Sequence, residues 1–140
     1  TKGKVITYEK DERFYKIAKE NIENVGFKNI ELKKGDVFKK LKEKDFDLIL
    51  LDFEEASKFV KKAFDKLKVA GYLVVYSPTV NHLLKVVKEV KKYFGNVQIV
   101  ENIVREWQYE KTLRPKTKGL MHTGFLTIAR KVRSKNSKDL

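Results

Sequence analysis

The sequence contains no cysteine and only two histidines, His82 and His122, which excludes several kinds of catalytic and metal chemistry. Without cysteine there is no disulfide, no thiolate metal site and no cysteine nucleophile. Two histidines are too few for a multi-histidine zinc site. No apolar run approaches the length of a membrane-spanning helix, and no signal peptide is recognisable. We therefore expect a cytoplasmic protein that binds neither a metal nor a membrane.

Acidic residues are scarce relative to basic ones. The sequence has 19 Asp and Glu residues and 32 Lys and Arg residues, which gives a net charge of +13. This excess predicts attraction to a polyanion, with nucleic acid as the leading candidate. Lysine-rich surfaces also occur in thermophile proteins, but there glutamate rises together with lysine. Because glutamate does not keep pace here, the composition favours a nucleic-acid partner.

The first two thirds of the chain alternate between strand-like runs and helical stripes. A chain of 140 residues, 41% of them hydrophobic, is long enough for one domain with a buried core. The alternation predicts an α/β fold with a parallel sheet and helices on both faces. Asp11 and Gly26 are suited to begin and end the first helix. The predicted strands are residues 4–9, 29–33, 46–52 and 71–76, and the predicted helices are 11–25, 56–67 and a third after Pro78.

Two predicted elements carry more specific expectations about burial. Residues 46–52 are almost continuously apolar, which is typical of a strand covered on both faces. The helix after Pro78 is expected to turn its apolar residues inward and its lysines outward. Those apolar residues are Leu83, Leu84, Val87, Val90 and Phe94.

The last third changes character. Residues 97–107 and 123–130 are extended runs with no helical stripe between them, so they predict an antiparallel strand pair. A long loop containing Arg114 and Pro115 is expected to join them. We predict a single domain over residues 1–131, followed by a basic flexible tail over 132–140.

Three carboxylates follow successive predicted strands: Glu9, Asp36 and Asp52. In open parallel sheets, ligands bind outside the carboxyl ends of the strands. Any one of these acids alone is more simply a helix cap or a solvated loop residue, whereas three in succession favour a nucleoside site. Glu9 suits a ribose and Asp36 an adenine amino group. Asp52 follows the most buried predicted strand, where desolvation would make its charge the most consequential.

These positions and the end of the chain resemble class I S-adenosylmethionine methyltransferases, in particular the tRNA (adenine-N1)-methyltransferases that modify the T-loop. The resemblance covers nearly all of residues 3–131. Three matching segments are generic to methyltransferases, and the combination of Arg-Pro with a later His-Thr-Gly-Phe-Leu is much more particular. The segments are Val5–Glu9, Lys34–Asp36, Leu50–Asp52, Val75–Pro78 with Asn81, and Arg114-Pro115 followed by His122–Leu126.

The resemblance implies a Rossmann-like class I methyltransferase sheet, mostly parallel with a C-terminal antiparallel strand pair. It implies S-adenosylmethionine as the cofactor, tRNA as the partner, and a homotetramer built from tightly paired dimers. It also implies site residues. Cofactor binding would fall to Glu9, Asp36 and Asp52, catalysis to Asp52, and substrate binding to Tyr76, Asn81, Arg114 and His122.

Some of these residues have equally simple structural interpretations. Tyr76 would serve as a core tyrosine at a strand end, and His122 as a structural residue at the start of a strand. Arg114 would anchor a loop or contact RNA. For any single lysine of the helix after Pro78, a solvated surface position is the simpler interpretation.

The sequence departs from the family pattern in three places. No strand and glycine-rich loop precede the segment at Val5, so we expect a domain that is incomplete at its N-terminal side, with a gap in its sheet. Phe53-Glu54-Glu55-Ala56 follows Asp52 where the family has a proline-containing turn. His82 follows Asn81 where glutamine is common.

Three other functions fit parts of the pattern. Another class I methyltransferase would share the generic segments, but the C-terminal motif argues against it. A nicotinamide-dependent dehydrogenase also places an acid after its second strand, but it would not end in an antiparallel pair. A truncated, non-catalytic fragment that binds RNA or forms oligomers would explain the missing first strand.

Overall fold

The computed structural model describes residues 3–103, 105–109, 112–116 and 124–132. Contacts divide the chain into two compact units, residues 1–42 and 43–140, and each is described by itself. Among the helices of the described residues, none combines the length and apolarity that crossing a membrane requires.

Unit 1 contains two parallel strands and two helices. Strand β1 pairs with strand β2 so that Val5 lies beside Ile30 and Glu9 beside Lys34. This arrangement agrees with the predicted parallel pairing of successive strands. The elements are β1 (Val5–Glu9), α1 (Glu12–Val25), β2 (Ile30–Lys34) and α2 (Val37–Lys40).

Helix α1 begins and ends where its sequence signals predict. The Asp11 carboxylate accepts hydrogen bonds from the backbone N–H groups of Arg13 and Phe14, at 2.8 and 3.1 Å. Gly26 ends the helix with a φ of 73°, a left-handed conformation that glycine adopts without steric cost. Both predicted caps are therefore confirmed.

Unit 2 contains a four-stranded sheet, two helices and a small hairpin. The strand order of the sheet is β3-β4-β8-β5. Strands β3 and β4 are parallel, and β8 runs antiparallel to both β4 and β5. The pairing of β5 with β8 confirms the predicted C-terminal antiparallel pair. The elements are β3 (Phe46–Leu51), α3 (Ala56–Lys66), β4 (Leu67–Ser77), α4 (Val80–Val90), β5 (Asn96–Asn102), β6 (Trp107–Tyr109), β7 (Leu113–Pro115) and β8 (Gly124–Arg130).

The segment predicted as a long loop contains a short hairpin instead. Arg114 and Pro115 lie in β7, which pairs antiparallel with β6 so that Trp107 faces Pro115 and Gln108 faces Arg114. Large and polar side chains alternate with the period of a strand in both β6 and β7. That alternation is the signal that the sequence interpretation missed.

The core of unit 2 lies between the sheet and helices α3 and α4. Leu73 and Val75 of β4 are fully buried, and their register partners in β8 are Ala129 and Thr127. Helices α3 and α4 pack against each other and against β4, which places both of them on one face of the sheet. The most buried apolar residues of the helices are Ala56, Phe59, Val60, Ala63, Val86 and Val90.

The prediction that residues 46–52 form a strand covered on both faces is wrong for the described structure. Leu48 and Leu50 of β3 are 56% and 64% exposed. Strand β3 lies at the edge of its sheet, and α3 and α4 pack on the opposite face from these side chains. A continuous apolar run therefore did not identify which faces were covered.

One predicted inward residue of α4 is also wrong. Leu84 is 62% exposed, whereas Val86, which was not on the predicted list, is fully buried. Leu83, Val86 and Val90 are spaced by three and four residues, so they form one stripe of the helix. Leu84 lies one position beyond that stripe and faces away from the core.

Candidate active site

Two of the predicted site residues lie side by side at the carboxyl ends of the parallel strands of unit 1. Glu9 is the last residue of β1, and its carbonyl accepts a hydrogen bond from the backbone N–H of Gly35 at 2.8 Å. Asp36 follows directly. Both acids are half-buried. Unit 1 therefore brings Glu9 and Asp36 to the same edge of its sheet, as their positions predict.

Each of these carboxylates also has a local structural role. Oε1 of Glu9 accepts the backbone N–H of Asp11 at 2.8 Å. Oδ1 of Asp36 accepts the N–H of Phe38 at 2.9 Å and so caps α2. A carboxylate has two oxygens with about four acceptor positions. The capping role that the sequence suggested is thus real, and it is compatible with ligand binding.

Unit 2 contains an open cleft of about 500 Å³ at the carboxyl ends of β3 and β4. This volume lies within the range of small-molecule sites. Three predicted site residues line it, namely Asp52, Tyr76 and Asn81. The full lining is Asp52, Phe53, Glu54, Glu55, Ser57, Lys58, Tyr76, Pro78, Thr79, Asn81, His82 and Lys85.

Asp52 is exposed rather than buried, so the prediction of a desolvated charge is wrong. Leu51 is 3% exposed and lies beside Val75, but the chain leaves the sheet at the next residue. Because β3 is an edge strand with one open face, its end is accessible to water. The Asp52 carboxylate is therefore accessible to a ligand, and folding does not incur the large free-energy cost of burying its charge.

Tyr76 holds its place because Gly124 has no side chain. A Cβ built on Gly124 would lie 2.3 Å from Cε2 and 2.8 Å from the hydroxyl oxygen of Tyr76. Gly124 is the first residue of β8, next to the pair formed by Phe125 and Ser77. A glycine inside a strand pattern signals close approach of another group. That signal was present in the His-Thr-Gly-Phe-Leu motif but was not used.

His82 is a cleft residue that sequence reasoning treated only as a departure from a pattern. Its Nε2 lies 2.9 Å from the carbonyl oxygen of Glu54, and its Nδ1 lies 2.9 Å from Oγ of Ser77. A carbonyl oxygen only accepts hydrogen bonds, so Nε2 carries the proton. In the neutral ring, Nδ1 then accepts the hydroxyl hydrogen of Ser77.

Opposite charges line the rim of the cleft. Glu55 and Lys58 form an ion pair one turn apart at the start of α3. The hydrogen bond from Lys58 to the Glu55 carboxylate raises the pKa of Lys58. Both side chains are exposed, so solvent screens this pair and its contribution to stability is small.

Of the remaining two predicted substrate residues, the structure describes Arg114, and Arg114 does not line the cleft. Arg114 is exposed in β7, and when the Gln108 amide is oriented with its oxygen towards Arg114, that oxygen accepts hydrogen bonds from Nη2 at 2.8 Å and from Nε at 3.1 Å. This cross-strand contact fits the anchoring interpretation of Arg114. His122 lies outside the described residues, so its role stays a prediction.

Residues 1–121 match the family model described as a methyltransferase domain. The chain is 33% identical over 157 residues to the tRNA (adenine(57)-N(1)/adenine(58)-N(1))-methyltransferase TrmI of Methanocaldococcus jannaschii, covering 91% of this chain and 56% of the relative. It is 29% identical to the tRNA (adenine(58)-N(1))-methyltransferase TrmI of Thermus thermophilus, covering 93% and 52%. The chain thus spans about half the length of these curated relatives.

Solved structures show the same similarity. A SAM-dependent O-methyltransferase from Thermotoga maritima superposes with a TM-score of 0.83 at 29% identity, covering 94% of this chain and 51% of that one. The tRNA (m1A58) methyltransferase TrmI from Aquifex aeolicus superposes with a TM-score of 0.81 at 27% identity, covering 94% and 54%. The fold is therefore Rossmann-like, as predicted, and the chain belongs to the methyltransferase domain family.

Proposed function

We propose that this chain is the catalytic part of an S-adenosylmethionine-dependent tRNA (adenine-N1)-methyltransferase that acts on the T-loop. The observation that carries the proposal is the cleft in which Asp52, Tyr76 and Asn81 meet at the ends of β3 and β4. The similarity to relatives named for adenine-N1 methylation of tRNA supports the same choice.

Glu9 and Asp36 suit the nucleoside part of the cofactor. A carboxylate accepts both hydroxyl hydrogens of a ribose, and a second one accepts from the adenine amino group. Glu9 and Asp36 lie side by side at one sheet edge, so they can accept hydrogen bonds from the ribose hydroxyls and the adenine amino group of one nucleoside. Glu9 and Asp36 are assigned to the nucleoside alone, and no residue is assigned to the methionine part. When bound, the cofactor supplies a methyl group activated by a sulfonium.

The target atom needs positioning more than it needs a base. N1 of adenine already has a lone pair, so no strong base is required to make it nucleophilic. Positive charge grows on the adenine as the methyl group is transferred. We assign Asp52 to accept a hydrogen bond from the exocyclic amino group and so to stabilise that charge.

Tyr76 and the size of the cleft suit a base that has left its stack. An adenine in folded RNA must be turned out of the helix before an enzyme reaches its Watson–Crick edge. The Tyr76 ring, fixed against Gly124, offers a flat surface on which the base would stack. Asn81, in the first turn of α4, adds an amide that both donates and accepts.

A polyanionic substrate agrees with the charge of the chain. The net charge of +13 favours tRNA, and Lys85 and Lys88 extend the positive charge along α4 from the cleft. Assembly into a homotetramer remains a prediction from the family resemblance, and a cytoplasmic location remains a prediction from the sequence. The match to a structure described as an O-methyltransferase keeps transfer to an oxygen as the second candidate.

Nucleoside mass spectrometry of tRNA tests this proposal. Unmodified tRNA is incubated with the protein and S-adenosylmethionine, then digested to nucleosides. We expect N1-methyladenosine, and we expect it to disappear when guanine replaces the T-loop adenines. Methylation of a ribose hydroxyl would favour the O-methyltransferase alternative. Bound but unmethylated tRNA would favour a non-catalytic RNA-binding module.

A further inference from the structure

We infer that His82 is a positioning residue that holds the loop carrying Asp52 in place; this rests on the proposed function for its effect on catalysis. The ring spans from the end of β4 to the loop between β3 and α3. It hydrogen-bonds Oγ of Ser77 on one side and the carbonyl of Glu54 on the other, each at 2.9 Å.

One end of this link is fixed in the core. Ser77 is the last residue of β4 and is fully buried. It lies opposite Phe125 in the sheet. His82 itself belongs to the first turn of α4, where its backbone N–H donates to the Thr79 cap at 3.2 Å. Both backbone and side chain of His82 are therefore tied to rigid elements.

The other end of the link is the short loop between β3 and α3, where the Ala56 N–H donates to the Phe53 carbonyl at 3.1 Å and the Lys58 N–H to the Glu55 carbonyl at 2.9 Å. Residues 52–55 connect β3 to α3, and the residue at the start of α3, Glu55, makes no side-chain capping bond. The Phe53 ring packs edge-on against Phe59 with centroids 6.0 Å apart. The hydrogen bond from His82 to the Glu54 carbonyl is thus a specific polar tie between this loop and α4.

The consequence concerns Asp52, which lies two residues before the held carbonyl. A carboxylate that must meet a base within hydrogen-bond reach loses much of its effect when displaced by about 1 Å. The two unusual sequence features near the site, the loop without proline and His82, touch each other here.

The hydrogen-bonding pattern also defines the best substitute. The two ring nitrogens flank one carbon, as the oxygen and nitrogen of a glutamine amide do. His82→Gln would donate to Glu54 and accept from Ser77, whereas His82→Phe fills the space but makes neither bond. Leu84→Phe places the same ring at an exposed position of the same helix and is the matched control.

The hydrogen bonds of the His82 ring can be tested by NMR of the parent protein. The chain has two histidines, so nitrogen-15 NMR shows two imidazole rings, and His122→Gln identifies which belongs to His82. We expect His82 in the tautomer with its proton on Nε2 and with slow exchange of that proton. A ring protonated on Nδ1 alone, or a freely exchanging one, would overturn the inference.

The loop is tested by hydrogen exchange and kinetics of the variants. We expect His82→Phe to speed exchange of the Ala56 and Lys58 amides about tenfold. It should lower kcat about tenfold with KM for tRNA little changed. His82→Gln should stay within about twofold of the parent in both. Unchanged exchange in His82→Phe, equal effects in Leu84→Phe, or failure of His82→Gln to rescue would overturn the inference.

The proposed function is separable from this test. If the parent protein transfers no methyl group, the proposed function fails. The exchange comparison and the tautomer still decide whether His82 holds the loop, since neither depends on activity.

Discussion

Asp52→Asn is expected to lower kcat for methyl transfer to tRNA by about 10²- to 10³-fold, the range found when one preorganised charge-stabilising group is lost. The substitution keeps the shape of the side chain but removes its negative charge. The charge matters because the adenine becomes cationic as N1 is methylated. Binding of S-adenosylmethionine should change little, since Glu9 and Asp36 are assigned to its nucleoside.

Asp47→Asn is the matched control for this prediction. Asp47 is a carboxylate of the same strand, but it is exposed and paired with Lys68 at 2.7 Å, outside the cleft lining. We expect near-parental turnover from it. Single-turnover transfer of labelled methyl groups, at saturating cofactor and tRNA, measures both variants. Undiminished turnover by Asp52→Asn would remove Asp52 from the mechanism.

Lys131→Met is expected to lower the free energy of unfolding by about 2 kcal/mol. Nζ of Lys131 donates to the carbonyls of Phe64 and Leu67, each at 2.7 Å, and lies 4.6 Å from the centre of the Phe64 ring. Phe64 lies in the last turn of α3 and Leu67 directly follows the helix, where backbone carbonyls lack internal donors and favour a cation. Methionine keeps the apolar stem but leaves both half-buried carbonyls without this donor.

The same substitution at Lys68 provides the comparison. Lys68 is paired with Asp47, and both side chains are largely exposed, at 49% and 84%. Exposed pairs contribute about 0 to 1 kcal/mol, so Lys68→Met should be nearly neutral. Urea unfolding followed by circular dichroism compares the two. Equal losses would show that the bonds to the end of α3 are not what stabilises this region.

Local signals in the sequence were sufficient to predict most elements of the fold. Asp11 and Gly26 marked the ends of α1 because capping depends only on nearby backbone groups. Apolar runs, some alternating and some continuous, identified the main strands, and the antiparallel pairing of β5 with β8 was also predicted. These features are local or follow from simple periodicity.

Features that depend on neighbours distant in sequence were not predictable in the same way. The apolar residues Leu48 and Leu50 suggested a buried strand, but which face is covered depends on where α3 and α4 pack. The exposure of Asp52 follows from the same arrangement. Sequence periodicity reports that a side chain is apolar, not whether another element reaches it.

The candidate site also contains features that the local sequence predicts and features that depend on residues distant in sequence. Strand-end acids were identified because their position in a parallel sheet predicts a ligand edge. The contacts of His82 with Ser77 and Glu54, and of Gly124 with Tyr76, join residues up to 48 positions apart in the chain. From the sequence alone, His82 is only a departure from the family pattern, and Gly124 is only one member of the His122–Leu126 motif. The meeting of Asp52 with Glu9 and Asp36 on one nucleoside remains a prediction.

Calorimetric titration with S-adenosylmethionine tests most directly whether the strand-end carboxylates bind a nucleoside cofactor. We expect measurable binding by the parent protein and affinity about tenfold weaker in Glu9→Gln, since a charged hydrogen bond to the ribose is lost. Asp52→Asn should lose less affinity than Glu9→Gln, because the main role assigned to Asp52 is toward the target adenine. Absence of binding by the parent, or equal affinity in Glu9→Gln, would contradict the assignment of the strand-end carboxylates to a nucleoside cofactor.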